Sequence, residues 1–338
     1  MEETGKEAAA RDEETKRLAL EIARILDECR LSQAVHWRKL KDLSALRSSS
    51  RIVLFLNSFT RALIPLFGFA KRTVSIDRTV RFVSAFAALR DGKSGDAAVC
   101  NAFLEGFLRF LLVAARSANK TARLRGCQIT SEIIMLLPDD ADVSDEVWDE
   151  AIDCMKERMQ DKVPAVRVFA VRALSHFASN AENSDISDLF LQTLHQEQNA
   201  DVRKTIVLSM PATSATSTSI IERTLDVHES VRKAAYSALS CKFPLQSLSI
   251  KLRTILLQRG LADRSSSVTN ECLKMLKDEW LTKCCNSDPV TLLRYLDVET
   301  YESVGEAVME ALLKEGTVQV QEGQSIRNFL TSTSEKIE

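Results

Sequence analysis

The sequence predicts an all-α protein, an α-solenoid built from antiparallel helix pairs. Glycine and proline are rare, with 10 and 6 among 338 residues, whereas sheet-rich and nucleotide-binding folds usually need more turn glycines. Hydrophobic residues make up 45% of the chain and charged residues 27%, which is typical of a folded protein with a large core. A short segment also recurs along the chain at the period of helical repeats.

In the N-terminal third of the chain, the repeat is hard to see. The apolar stretches Ile52–Phe69 and Ile76–Leu89 have the length of helices, and Gly92–Gly95 is predicted to be a loop between helices. Four segments are therefore predicted: a polar, helical segment 1–45, divergent helical repeats 46–118, a repeat array 119–316 and a polar tail 317–338.

The recurring segment is clearest at residues 161–178, DKVPAVRVFAVRALSHFA. Its apolar residues fall at helical spacing, and Arg167 directly follows the first core valine. Further segments align with this valine at spacings of roughly 29 to 44 residues, and the aligned positions are Ala122, Val166, Val202, Val231, Val268 and Val304. Each unit predicts a first helix, a turn with Asp or Asn, and a second helix. This pattern resembles HEAT repeats.

Within the unit at Asp161, the predicted first helix is Ala151–Met159 and the second is Ala165–Phe177. The Asp or Asn of the turn is expected to cap the second helix, and Pro164 is tolerated in the first helical turn. The first helix of the unit before Val231 is predicted to be short, because Pro211–Ser219 is a poor helix sequence.

The arginine after the core valine is expected to pair with an acidic residue of the neighbouring unit or to face solvent. For Arg167, Arg203 and Arg232 we favour the first alternative, a ladder of ion pairs between repeats. Thr269 and Gly305 stand at this position in the last two units, so the ladder is expected to stop or change there.

Catalytic chemistry is not indicated. The segment Asp91–Asp96, DGKSGD, lacks the earlier glycine of a phosphate-binding loop, and no GxSxG nucleophile motif occurs. The histidines have no metal-ligand spacing, and there is no CxxC pair. The apolar runs, such as Leu111–Ala115, are judged too short to span a bilayer, and the N-terminus has no signal core. We therefore expect no enzyme, cofactor, metal, small-molecule substrate or membrane.

The charges are unevenly distributed although the formal net charge is only −2. Residues 61–125 contain 12 Lys/Arg and 4 Asp/Glu, whereas residues 132–161 contain 11 Asp/Glu and 2 Lys/Arg. A basic block of this kind fits a phosphate-binding surface, although most charge runs are simply the solvated sides of helices.

Longer segments resemble, in order, the N-terminal half of the condensin G subunit family, which is also called condensin complex subunit 3. The matching segments are Phe67–Phe86, Arg123–Leu137, Met155–Phe177, Asp201–Met210, Val227–Phe243, Leu248–Val268 and Trp280–Glu299. The resemblance runs from about Phe67 to about Leu313. Members of that family are much longer, so the chain is expected to be a fragment, a truncated gene product or a short isoform.

The resemblance implies a non-catalytic HEAT-repeat subunit of condensin, which compacts mitotic chromosomes. It implies binding to the kleisin subunit CAP-H, through it to the SMC ATPase subunits, and to double-stranded DNA in a basic groove. It also implies a nuclear location, with condensed chromosomes in mitosis and the cytoplasm as an alternative in interphase. The competing hypotheses are a HEAT adaptor that binds only proteins, and a truncated form without full clamp activity.

The candidate DNA-binding residues come from the resemblance and from the basic block. Lys71-Arg72 matches a Lys-Arg pair of the family, and Arg123 and Arg125 match its Arg-x-Arg. Because a helix turns by about 100° per residue, Arg123 and Arg125 diverge, and Arg123 is the better candidate. The full set is Lys71, Arg72, Arg78, Arg81, Lys120, Arg123, Arg125, Arg232, Lys233, Lys251, Arg253 and Arg259. For each one, a solvated or ladder role is the alternative.

Overall fold

The computed structural model describes residues 2–69, 71, 73–90, 97–138, 141–179 and 184–318. This part of the chain forms sixteen α-helices and no strand, which confirms the all-α prediction. The chain divides into two compact units, Met1–Met210 and Pro211–Glu338. That division falls inside the segment 119–316, and the boundaries between the four predicted segments stay predictions. The loop at Gly92–Gly95, Arg72 and most of the tail lie outside the described residues.

The α-helices of the first unit are α1 Glu2–Leu31, α2 His36–Ser49, α3 Ile52–Gly68, α4 Val74–Ala87, α5 Ala97–Ala115, α6 Lys120–Leu136, α7 Asp145–Arg158, α8 Pro164–Ser175, α9 Ser184–Gln196 and α10 Ala200–Ser209. Those of the second unit are α11 Ser214–Glu222, α12 Glu229–Lys242, α13 Ile250–Leu261, α14 Ser266–Lys274, α15 Pro289–Tyr295 and α16 Glu302–Lys314, with a π-helix at Met275–Cys284. Both apolar stretches predicted as helices before residue 90 are confirmed by α3 and α4.

Helices alternate between two rows in the first unit. The first helices α3, α5 and α7 contact one another in turn, and the second helices α4, α6, α8 and α10 do the same. The N-terminal helix α1 packs against α3 and α4. In the second unit, α12 contacts α14, and α13 contacts α14. Each pair buries its apolar stripes against its neighbours, which is how a helical repeat gains stability.

The predicted helices of the unit at Asp161 are confirmed, with α7 beginning six residues before the predicted start and α8 carrying Pro164 in its first turn. The helix predicted to be short is α11, which has 9 residues. It forms in a Ser/Thr-rich sequence because Thr213 and Thr216 make a reciprocal capping box at its start.

An aromatic cluster joins α3, α4 and α5 in the core of the first unit. Phe55, Phe59, Phe86, Phe103 and Phe107 are fully buried, and their ring centroids lie 5.2–6.0 Å apart. Most of these pairs are edge-to-face or tilted, the arrangement that aromatic rings favour over direct stacking. The cluster fixes the helix pair α3 and α4 against α5, the first helix of the next pair.

One expectation about apolar stretches needs correction. Within α5, residues Ala98–Ala115 form a helix with mean hydropathy 1.7, long and apolar enough to cross a membrane by length and composition alone. In the fold, α5 packs against α3, α6 and α7. Its two charged side chains bind polar groups at α7: Glu105 accepts from the Ser144 N–H, and Arg109 pairs with Glu146. Of this stretch 44% is buried, and the buried part includes Phe103, Phe107 and Leu111.

The close approach of α5 and α6 depends on Gly126. A Cβ atom at this position would lie 2.7 Å from the main-chain nitrogen of Ala115 and 2.8 Å from the carbonyl oxygen of Leu111. Main-chain atoms cannot move aside as a flexible side chain can, so only glycine fits here.

We predict that Gly126→Ala lowers the free energy of unfolding by about 1–3 kcal/mol, because the two helices must separate. Gly68→Ala is the matched control, since no neighbouring atom lies within 4 Å of the place that a Cβ would take there. Urea unfolding followed by circular dichroism measures both. An unchanged midpoint for Gly126→Ala would contradict the close packing.

Candidate nucleic-acid interface and the arginine ladder

The turns before α6, α8, α10, α12 and α14 each carry a side chain that accepts a main-chain N–H group. Asn119 accepts from Thr121 and Ala122 at the start of α6, which confirms the predicted cap. At three acidic turns the carboxylate accepts from the N–H two residues later instead, at 2.7–2.8 Å, and the pairs are Asp161–Val163, Glu197–Asn199 and Asp263–Ser265. The turn is therefore fixed by the same carboxylate that can also pair with a cation.

Each of these carboxylates accepts a bidentate contact, through both of its oxygens, from an arginine of the preceding second helix. The shortest N–O distance is 2.7 Å in all three pairs, which are Arg123–Asp161, Arg167–Glu197 and Arg232–Asp263. We call these three ion pairs the arginine ladder. They confirm the predicted ladder role of Arg167 and Arg232, and they give the same role to Arg123.

The ladder arginines also bond to the turn before their own helix. Arg203, at the equivalent position, does so as well. One Nη of each guanidinium donates at 2.8–2.9 Å to a main-chain carbonyl, and the pairs are Arg123–Ala118, Arg167–Asp161, Arg203–Gln198 and Arg232–Asp226. At the next position, the Thr269 hydroxyl donates to the Asp263 carbonyl at 3.3 Å. This confirms that the pattern changes at Thr269, because a hydroxyl keeps the contact to its own turn but is too short to bridge to the next one.

Three of the candidate DNA-binding residues are buried within the fold. Arg125, Arg232 and Arg253 are 2%, 5% and 8% exposed. Arg232 belongs to the ladder, and Arg253 donates to the carbonyls of Leu245 and Tyr295. These guanidinium groups hold main chain together, so they do not face a phosphate in this structure. The divergence of Arg123 and Arg125 on α6 is confirmed, since only Arg123 reaches the surface.

Three more candidates are partly buried and have internal partners. Arg78 donates to the carbonyl of Leu31 at 2.7 Å, and Arg259 donates to the Thr224 hydroxyl at 3.2 Å. Arg123 is held in the ladder, with 15% of its side chain exposed. Each can present only part of its guanidinium to a ligand.

The remaining described candidates are exposed, and they are Lys71, Arg81, Lys120, Lys233 and Lys251. In the first unit, Arg81 lies on α4 and Lys120 begins α6, and these two second helices contact each other. Lys71 precedes α4, and its carbonyl accepts from Arg125 of α6 at 3.1 Å. Lys71, Arg81 and Lys120 therefore lie on, or just before, one pair of neighbouring helices. Lys233 and Lys251 lie in the second unit, on α12 and α13.

Sequence reasoning missed two charged residues on this row of second helices. Arg172 is exposed on α8, and Glu132 is half-buried on α6. Burial raises the pKa of Glu132, and a hydrogen bond from Gln128 and the charges of Arg172 and Arg81 partly oppose this rise. Arg172 lies outside the basic block in sequence, so only the stacking of α4, α6 and α8 reveals it as a neighbour of that block.

No metal centre is formed by the described residues, since they contain no group of three or more His, Cys, Asp or Glu side chains suited to hold an ion. What the surface offers is a set of exposed lysine and arginine side chains on the packed helices. Such a surface can bind phosphate groups or acidic side chains.

These features define a helical-repeat protein of the HEAT type. No family model matches the chain. It is 31% identical over 320 residues, 92% of its length, to condensin complex subunit 3 of Xenopus laevis, and 29% identical over 296 residues to condensin complex subunit 3 of Homo sapiens. Its fold matches the crystal structure of the S. pombe condensin Cnd3-Cnd2 subcomplex with a TM-score of 0.77, at 26% identity over 87% of the chain. Over most of its own length the chain is therefore similar to condensin complex subunit 3.

The chain spans 30% of the length of the Xenopus protein and 29% of the human one. It covers 37% of the matching chain in the S. pombe subcomplex. The aligned part includes the arginine ladder and the basic block, so the resemblance noted in the sequence is confirmed over the region that carries the candidate residues.

We predict that Asp263→Asn lowers the free energy of unfolding by roughly 3 kcal/mol, because it leaves the buried Arg232 without a charged partner. Only 6% and 8% of these two side chains are exposed. Glu279→Gln is the control, since its partner Lys283 is 67% exposed, and it should cost less than about 1 kcal/mol. Equal costs in urea unfolding would show that the ladder contributes no more than a surface pair.

The ladder also predicts acid sensitivity. The hydrogen bond from Arg232 lowers the pKa of Asp263 below its ordinary value. The folded state therefore binds fewer protons, and the stability that this adds is fully present above the unfolded pKa of about 3.9. It is lost as the pH falls through the folded pKa. Urea unfolding between pH 6 and pH 3 should show a shallower decline for Asp263→Asn than for the natural chain, and identical slopes would contradict this.

Proposed function

We propose that the chain is a non-catalytic, DNA-binding part of a condensin subunit that contacts the phosphate backbone of duplex DNA. The observation that carries this proposal is the set of exposed cations Lys71, Arg81 and Lys120, which lie on or just before the adjoining helices α4 and α6. It is supported by the similarity to condensin complex subunit 3, which covers the same helices. Arg72, beside Lys71, belongs to the proposed set although it lies outside the described residues.

The chemistry of these cations fits backbone contact rather than base reading. Lysine is a compact charge on a flexible stem, which suits attraction to phosphate oxygens and the release of counterions. Lys71 and Lys120 lie at or just before the starts of α4 and α6, where helix N-termini add a favourable potential for anions. In the second unit, Lys233 and Lys251 are proposed as further contacts. Lys233 lies 3.8 Å from Glu271, so it is only weakly paired.

A protein partner is part of the proposal. We propose that the chain binds a kleisin subunit of the CAP-H type, and through it the SMC ATPase subunits. The support is the match to the condensin Cnd3-Cnd2 subcomplex, together with the helical-repeat fold, whose stacked helices suit extended peptides. A role in mitotic chromosome condensation and a nuclear, chromosomal location follow from the same proposal.

A second candidate function is a HEAT adaptor that binds proteins only. The observation that favours it is that six candidate arginines are buried or hydrogen-bonded within the chain. Arg125, Arg232 and Arg253 are buried, and Arg78, Arg123 and Arg259 already donate to groups within the chain. Fewer cations therefore face solvent than the sequence suggested. A protein-binding surface would need no phosphate contacts at all, so the salt dependence of DNA binding separates the two functions.

We predict that the chain binds a duplex of roughly 30 base pairs with an affinity that falls steeply as salt rises. Neutralising one phosphate contact should reduce the slope of log K against log salt by about 0.9. Lys71→Gln and Lys120→Gln should each do so, whereas Lys283→Gln, an exposed lysine outside the proposed set, should not. Fluorescence anisotropy from about 50 to 300 mM salt measures the slopes. Absence of binding, or equal slopes for all variants, would favour the adaptor.

To test kleisin binding, the same titration is repeated with a CAP-H fragment added. If the fragment binds the chain but the chain never binds DNA, the protein-only adaptor stands. If the chain binds neither partner, the proposed function is overturned.

A further inference from the structure

Arg125 connects the basic segment before α4 to helix α6. Its Nη2 donates to the carbonyl of Phe69 at 2.9 Å and to the carbonyl of Lys71 at 3.1 Å, and its Nε donates again to Phe69 at 3.3 Å. Its Nη1 donates to the Gln128 side-chain oxygen at 2.5 Å. One buried side chain thus binds two main-chain carbonyls of the short connection between α3, which ends at Gly68, and α4.

The guanidinium is itself held in a fixed orientation. The Gln128 amide nitrogen donates to the Glu132 carboxylate at 3.4 Å, which turns the amide oxygen toward Arg125. Because Gln128 and Glu132 are one helical turn apart on α6, this arrangement is set by the helix itself. The chain of contacts runs from Glu132 through Gln128 and Arg125 to the carbonyl of Lys71.

Arg125 bridges two main-chain carbonyls, as Arg253 does, but one of the two residues that Arg125 holds is an exposed lysine. Burying a guanidinium costs desolvation, and an apolar side chain of similar volume would avoid that cost but would leave the carbonyls of Phe69 and Lys71 without these donors. What the arginine adds is a fixed main-chain position for Phe69 and Lys71, which follow the end of α3, where the helix carbonyls carry partial negative charge. The residue whose main chain it fixes is the exposed Lys71.

We propose that Arg125 is a positioning residue for DNA binding, which holds the connection between α3 and α4 so that Lys71 is presented to the phosphate backbone. This inference rests on the proposed function. Arg125 makes no contact with DNA in this account. It acts by removing the main-chain freedom that Lys71 would otherwise lose on binding, and such preorganisation raises affinity without a new contact.

The test is a double-mutant cycle on duplex affinity with the full chain. Arg125→Met removes the donors but keeps the volume, and we expect it to weaken binding by roughly fivefold to tenfold. In a Lys71→Ala background the same change should have little further effect, because no charge is left to position. In a Lys251→Ala background it should keep its full effect, since Lys251 lies in the second unit.

A general loss of folding would weaken binding equally in both backgrounds, and that result would overturn the inference. An Arg125→Met variant that binds DNA as tightly as the natural chain would also overturn it. If Arg125→Met does not fold, as judged by circular dichroism, the cycle is repeated with Gln128→Met, which removes only the orienting acceptor and should give a smaller effect with the same dependence on Lys71.

A second readout does not depend on DNA. Amide hydrogen exchange of residues 69–73 should be faster in Arg125→Met than in the natural chain, while exchange in α5 stays unchanged. Absence of DNA binding by the natural chain would overturn the proposed function, and this inference with it. DNA binding that is present but strictly additive in the cycle, or unchanged exchange at residues 69–73, would overturn the positioning role alone.

Discussion

A guanidinium shared between two successive turns fixes the spacing of the repeats. Arg167 donates to a carbonyl of its own turn and, through its other nitrogens, to the carboxylate of Glu197 in the next turn. That carboxylate also accepts the N–H of Asn199, so a single charge pair determines both the shape of a turn and its distance from the one before. Because all partners are hydrogen-bonded, the cost of burying the charges is offset within the fold.

The chemistry of arginine and lysine explains how the candidate cations divide between the interior and the surface. Every candidate that is fully buried is an arginine, whereas four of the five exposed candidates are lysines. A guanidinium has five donors in a rigid plane and can bridge several carbonyls and a carboxylate at once. A lysine ammonium cannot, and it stays at the surface as a point charge. The residue type therefore indicates which cations remain for a phosphate.

The row of second helices carries charges of both signs. Glu132 lies between α4 and α8, where Arg81 and Arg172 oppose the rise in its pKa that burial causes. An acidic group among exposed cations keeps the row from being uniformly basic, and it also orients Gln128 toward Arg125. The same carboxylate therefore affects both the local field and the shape of the segment that presents Lys71.

The repeat, the helices α3, α4, α7 and α8, the capping side chains and the ladder could be predicted from the sequence, because they depend on contacts within one unit or between neighbouring units. The resemblance to the condensin G subunit family could also be predicted from the sequence, because several segments match that family in the same order along the chain. What only the tertiary structure decided is the environment of each cation. Arg125 and Lys120 are five residues apart on α6, yet one is buried and the other exposed, since helix packing sets exposure and sequence spacing alone does not.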